Sequence, residues 1–215
     1  MRKTILFALL IFNTIALFAQ TAPITPPVTT VRPTTVNSAP ASKPNPNNPF
    51  ARPDKDKAAM LPGNTISDNI ANMKTFTKFY NALQIAGLTE TFKSAGPITL
   101  FIPDDDAFEK MPKGKLDTLL RTDHRPELIA FITYHAIPGK ITSGNIARQI
   151  NKHKNTATFT TLSGGKLTAK INPDRTIVLI DEGGKECTVS QSNITQSNGM
   201  LFVIDGVLAP KNRLF

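Results

Sequence analysis

The chain has 215 residues, 25 Lys or Arg, 16 Asp or Glu and a formal net charge of +9 at pH 7. A modest positive charge favours acidic partners such as anionic glycans. The basic residues are not interleaved with aromatic residues, so we expect no nucleic-acid partner.

Cys187 is the only cysteine, which excludes a disulfide within one copy of the chain. It falls on the same side as Val189 in an alternating pattern, which favours a buried thiol over an intermolecular disulfide.

The first residues of the chain have the pattern of an export signal. Arg2 and Lys3 precede a mainly apolar run that ends at Phe18, and Ala19 is a small residue suited to cleavage. The run is shorter than the ~20 apolar residues of a membrane-spanning helix. We therefore predict a cleaved signal peptide at residues 1–19 and no transmembrane span in the mature protein. The predicted location is secreted, periplasmic or at the cell surface.

Residues 20–59 are rich in proline, threonine, serine and asparagine and have no apolar periodicity. Such a segment buries too little surface to offset the entropy of ordering, and its prolines favour extended structure. We predict a disordered Pro/Thr-rich linker over residues 20–59 and one folded domain over residues 60–211.

The first part of this domain has the periodicity of helices. Asn64 or Thr65 is the predicted cap of one helix that continues to Gly87, because apolar residues recur at helical spacing between them. A buried strand is predicted at residues 98–102 and ends at Pro103. Further helices are predicted at residues 107–111, 115–120, 126–137 and 143–150.

After residue 155 the apolar period changes to two, which is typical of strands. Ser163, Gly164 and Gly165 separate two such runs and indicate a hairpin. Strands are predicted at residues 156–162, 166–171, 176–180, 186–191 and 200–205. Helices followed by strands predict a single α+β domain with a mixed or antiparallel sheet.

Four segments of the domain carry a family pattern: residues 99–108 (TLFIPDDDAF), 128–139 (LIAFITYHAIPG), 161–167 (TLSGGKL) and 197–210 (SNGMLFVIDGVLAP). They resemble the first motif, the central Tyr-His segment, the hairpin and the second motif of the fasciclin-like domain. The resemblance extends over about residues 62–210. It implies a wedge-like sheet packed with several helices, in an exported bacterial protein. It also implies a non-enzymatic role in adhesion or interaction with an extracellular protein or glycan.

Tyr134 and His135 are the first candidate contact residues, because the resemblance associates this pair with partner binding. The helical spacing gives a competing interpretation, in which His135 shares a face with Leu128, Phe131 and Ile132 and is a buried structural histidine. We favour the buried histidine, and we expect Tyr134 at or near the surface or against the hairpin.

Arg148, Lys152, His153 and Lys154 form a second candidate site. Arginine and lysine provide the charge and the hydrogen-bond donors that sulfated or carboxylated glycans require. This basic cluster makes polyanionic-glycan binding the first alternative to a general protein or glycan partner. The competing interpretation is an ordinary solvated charged face.

A metal site and a catalytic site have weaker support. Asp104, Asp105 and Asp106 are consecutive, so their side chains point in different directions, and the further oxygen ligands of a calcium loop are missing. Carboxylates at this position instead suit the free N–H groups at the start of a helix.

No histidine lies in a zinc-protease motif, and no phosphate loop or nucleophile elbow is present. We predict no cofactor, no metal and no enzymatic activity, with an enzyme as the second alternative.

Overall fold

A computed structural model describes residues 60–94 and 96–211 of the chain. The predicted signal peptide at residues 1–19 and the predicted linker at residues 20–59 lie outside the described residues. The α-helices are α1 (Ile66–Ala71), α2 (Thr77–Ala86), α3 (Thr89–Ser94), α4 (Asp105–Glu109), α5 (Lys115–Leu119), α6 (Arg125–Tyr134) and α7 (Ser143–Lys152). The strands are β1 (Ile98–Pro103), β2 (Ala136–Pro138), β3 (Thr156–Thr160), β4 (Lys166–Ile171), β5 (Ile177–Ile180), β6 (Glu186–Gln196) and β7 (Gly199–Ile204). Among the helices described, none has the length and apolar character needed to span a membrane.

The helix predicted from Thr65 to Gly87 is interrupted, so its predicted continuity is wrong. Thr65 does cap α1, because its hydroxyl accepts a hydrogen bond from the Asp68 N–H at 3.2 Å. α1 ends at Ala71 with Asn72 as its C-terminal cap, and Met73 has extended backbone (φ −103°, ψ 123°) before a short 3-10 turn leads into α2. Met73 is still buried. The apolar spacing therefore continues across the break, and periodicity alone does not reveal it.

The strands form one sheet in the order β2-β1-β7-β6-β5-β4-β3. β1 and β7 pair in parallel and the other neighbours are antiparallel, so the predicted α+β domain with a mixed sheet is confirmed. β6 pairs with β5 through its first residues and with β7 through the rest. Register shifts follow Val189 and Gln191, and Asn193 has a positive φ of 60°. β6 continues past the predicted end at residue 191, because the bulges disturb the alternation on which that prediction rests.

The two parallel strands, β1 and β7, are buried on both faces. Leu100 and Ile102 belong to an apolar cluster shared with the helices. Phe101 and Phe202 belong to a second cluster, and their ring centroids are 5.3 Å apart. Burial on both faces explains why these strands appear in the sequence as continuous apolar runs rather than alternating patterns.

Cys187 lies on β6 within the second cluster and is 1% exposed. Burial raises the pKa of its thiol to about 12. The predicted buried thiol is therefore confirmed.

Candidate functional site

Tyr134 and His135 lie where α6 ends and β2 begins, between the two apolar clusters. Tyr134 is the last residue of α6, and His135 is its C-terminal cap. Both side chains are 0% exposed. The main-chain carbonyl of His135 also accepts a hydrogen bond from the Phe101 N–H at 2.8 Å, which fixes the helix end to β1.

The His135 ring has a partner at each nitrogen. Nδ1 lies 2.8 Å from the Phe131 carbonyl oxygen, and Nε2 accepts a hydrogen bond from the Leu208 N–H at 3.2 Å. These partners assign the neutral ring with its proton on Nδ1. The ring packs against Phe79 and Phe131 at centroid distances of 5.9 and 4.7 Å. Burial, with a smaller effect from the Lys185 charge, lowers the pKa of His135 to about 4.

The predicted buried, hydrogen-bonded histidine is therefore confirmed. A ring with both nitrogens engaged and no exposed surface has no group left for a partner. The same packing removes His135 as a candidate catalytic base, because a base must reach the proton that it abstracts.

Tyr134 joins α6 to the β3–β4 hairpin. Its hydroxyl donates to the Lys166 carbonyl at 2.7 Å and accepts from the Glu182 N–H at 3.1 Å. A Cβ atom at Gly165 would lie 2.7 Å from Cε2 of the ring, so the ring and the hairpin backbone are in close contact. Burial raises the pKa of the Tyr134 hydroxyl to about 12. The expected position against the hairpin is confirmed and the expected surface position is wrong, because the glycine admits the ring.

α7 carries the basic cluster on its outer side. Thr142 caps this helix, and its hydroxyl accepts from the Asn145 N–H at 3.2 Å. Ile146 and Ile150 are buried in the second apolar cluster. This inward face leaves the polar residues of α7 exposed to solvent.

Arg148, Lys152 and His153 line one open depression of about 520 Å³. Lys154 follows the helix in a turn with a positive φ of 57° and is not part of the lining. The structure thus brings three of the four predicted basic residues together. Sequence reasoning missed the rest of the lining, although helical spacing points to Asn145 from Arg148 and to Gln149 from Lys152. The lining residues that it missed are Ile141, Asn145 and Gln149.

The cations on this surface are not neutralised within the domain. All four basic residues are exposed, and none forms an ion pair with an acidic side chain in the described part of the chain. Nδ1 of His153 lies 2.9 Å from the Gln149 carbonyl oxygen, and the residue as a whole is exposed. A smaller depression of about 300 Å³ adjoins the first and is lined by Gln149, His153, Thr156 and Thr158.

The three consecutive aspartates have structural partners. Asp104 caps α4, and its Oδ1 accepts from the Ala107 N–H at 2.7 Å. Asp105 accepts from the Lys78 N–H at 2.9 Å and contacts the Thr77 hydroxyl, which connects α4 to α2. The predicted role at a helix start is confirmed. Within residues 60–94 and 96–211, no group of three or more histidine, cysteine or acidic side chains could hold a metal ion.

Three similarities place the chain among known proteins. Residues 74–210 match the model of the Fasciclin domain. Protein sll1483 of Synechocystis sp. is 32% identical over 146 residues, which are 68% of this chain and 73% of that protein. The transforming growth factor-beta-induced protein ig-h3 of Oryctolagus cuniculus is 29% identical over 155 residues, 72% of this chain but 20% of that protein.

The fold has a counterpart in a solved structure. A FAS1 domain pair from the insect cell adhesion molecule fasciclin I superposes with a TM-score of 0.62 and 14% identity. The superposition covers 71% of this chain and 53% of that one. The motifs that suggested the family form the parallel strands β1 and β7 and the end of α6. The chain belongs to the fasciclin domain family.

Proposed function

We propose that this protein is a non-enzymatic adhesion or interaction module that acts outside the cytoplasm. Its family membership supports this proposal, as does the description of fasciclin I as a cell adhesion molecule. In this proposal residues 1–19 direct export, residues 20–59 form a linker and residues 60–211 form the binding domain. The partner is an anionic protein or glycan.

The observation that carries the proposal is the basic surface of α7, which we define as Arg148, Lys152, His153 and Lys154. These side chains are exposed and have no acidic neighbour within ion-pair distance in the described residues. Three of them converge on an open depression. The other candidate pair, Tyr134 and His135, is directed inward and fully engaged.

Binding at such a surface should be multivalent and sensitive to salt. One exposed charge pair contributes ~0.2–1 kcal/mol, so several must act together. Added salt screens charges over ~8 Å at 0.15 M ionic strength, which weakens each exposed contact. An arginine also presents paired donors to a carboxylate or a sulfate, which lysine does not.

The test measures the affinity of the purified chain for heparin, a sulfated polysaccharide, at several salt concentrations. The R148E/K152E variant reverses two charges of the basic surface and should bind roughly tenfold more weakly, a change of about 1.4 kcal/mol. The matched control is K74E/K113E, which has the same net charge but alters exposed residues elsewhere. Equal loss in both variants would assign binding to net charge alone. Binding that is insensitive to salt would also contradict the proposal.

A further inference from the structure

β3 is an edge strand, and it lies beside the basic surface of α7. Its only paired neighbour in the described sheet is β4. We propose that the open edge of β3 binds an extended acidic segment of a partner protein as an additional antiparallel or parallel strand, with its carboxylates against Arg148 and Lys152. This inference rests on the proposed function and names the partner of that surface.

The hairpin fixes which main-chain groups of β3 face the open side. The Thr161 N–H donates to the Gly165 carbonyl, and the Thr161 carbonyl accepts from the Gly164 N–H, both at 2.9 Å, so the main-chain groups of Thr161 point across the hairpin. Bonded and non-bonded pairs alternate along an antiparallel ladder. Phe159 is therefore the next residue bonded to β4. The main-chain N–H and C=O groups of Thr158 and Thr160 point away from β4.

The partners of Lys166 support this assignment independently. Lys166 is directly opposite Thr160 in the ladder. Its N–H donates to the Glu182 carboxylate at 2.9 Å, and its carbonyl accepts from the Tyr134 hydroxyl at 2.7 Å. Lys166 thus directs its main-chain groups away from β3, as the non-bonded pairing requires. The outward N–H groups on either side already have partners: that of Leu162 donates to the Ala136 carbonyl at 2.8 Å and that of Thr156 to the His153 carbonyl at 3.4 Å. The open part of the edge is therefore at Thr158 and Thr160, and open main-chain groups at an edge are a template for a further strand.

The space for that strand is already lined by polar groups. The depression of about 300 Å³ lies between α7 and the edge, with Gln149 and His153 on one side and Thr156 and Thr158 on the other. All four residues are exposed. A strand added at ~4.8 Å from β3 would have its alternate side chains beside the basic surface of α7.

The charge of the basic surface indicates which kind of segment can bind at this edge. The preceding segment of the same chain, residues 20–59, has five basic and two acidic residues and a net charge of +3, so it is repelled by the basic surface. A second copy paired through β3 would bring two basic surfaces together. An acidic segment of another protein meets neither obstacle.

The spacing of the cations suggests a suitable probe. Arg148 and Lys152 are one helical turn apart, about 6 Å along the axis. Residues on one side of a strand repeat every ~6.7 Å, which is close to this distance. The probe is therefore a capped seven-residue peptide with Glu at alternate positions and Thr between them.

The first measurement follows amide hydrogen exchange in the purified chain with and without the peptide. At about ten times the Kd of the peptide, the amides of Thr158 and Thr160 should exchange about tenfold more slowly. The amides of Ala157 and Phe159, which β4 already protects, serve as the internal control. Unchanged exchange at Thr158 and Thr160 under saturating peptide would overturn the inference.

The second measurement compares T158P with T158V. Proline removes the outward N–H of residue 158 but no bond to β4, which is the position where edge strands tolerate it. T158P should bind the peptide at least tenfold more weakly, whereas T158V should bind as the original chain does. Both variants should bind heparin normally, because the basic surface is unchanged.

A thermal melt shows whether the T158P protein is folded. A peptide variant tests strand addition in the unaltered protein, where misfolding plays no part. N-methylation of the peptide at alternate residues blocks one of its two edges. One of the two alternating methylation patterns should abolish binding to the unaltered protein, and the other should preserve it. Equal binding of both methylated peptides would contradict strand addition.

The outcomes separate this inference from the proposed function. If R148E/K152E weakens binding of heparin and peptide but T158P binds both normally, the basic surface stands and strand addition is overturned. If neither ligand binds at low salt, both proposals are overturned. If the chain dimerises alone and T158P abolishes the dimer, a second copy occupies the edge and the acidic-peptide inference is wrong.

Discussion

Acidification should destabilise the domain through His135. Because burial lowers the pKa of His135 from its ordinary value of 6.5 to about 4, the unfolded chain takes up this proton first as the pH falls. The effect is absent above pH ~6.5 and accumulates between that value and ~4, at about 1.4 kcal/mol per pH unit. The total is about 3 kcal/mol, a large part of the stability of a typical domain.

The assay is urea unfolding of the chain and of His135→Gln at several pH values from 7.5 to 4. Glutamine offers an NH₂ donor group and a carbonyl acceptor but does not titrate, so carboxylate effects cancel in the difference between the two proteins. The stability advantage of His135 should shrink by about 3 kcal/mol over this range. Parallel pH profiles would refute the account, as would an NMR titration of the native ring with a midpoint near 6.5.

Three further predictions concern buried groups. Gly165→Ala places a methyl group against the Tyr134 ring and should lower the free energy of unfolding by about 1–3 kcal/mol, measured in urea. The control Gly63→Ala, whose methyl group meets no atom within 4 Å, should lower it by less than about 1 kcal/mol. Equal effects of the two substitutions would contradict the contact. Asp181→Ala removes the acceptor of three main-chain N–H groups and should cost at least about 2 kcal/mol, and a loss below about 0.5 would show that water replaces it. The Cys187 thiol should react with a thiol reagent only after unfolding, and rapid labelling of the native chain would contradict its burial.

The main elements of the fold are predictable where local signals agree with the tertiary structure. The apolar runs at residues 98–102 and 200–205 are the two strands buried on both faces. The glycines at 164 and 165 do form the hairpin turn. These predictions succeed because strand burial and turn geometry depend mainly on neighbouring residues.

Long-range contacts explain what the sequence analysis missed. The sequence analysis leaves Tyr134 either at the surface or against the hairpin. The choice depends on Gly165, thirty-one positions later, and nothing near Tyr134 in the sequence decides it. In the candidate site, Arg148 and Lys152 are predictable as one helix face. The smaller adjoining depression, which Thr156 and Thr158 line with Gln149 and His153, exists only because α7 packs beside the sheet edge.

The most direct test of the account compares where ligands perturb the NMR spectrum of the domain. Saturating heparin or acidic peptide should shift the resonances of Arg148, Lys152 and His153 and leave those of the His135 side chain unchanged. The proposed strand addition further predicts shifts at Thr158 with the peptide but not with heparin. Perturbation centred on His135, with the α7 resonances unmoved, would contradict the claim that partners meet only the outer basic surface.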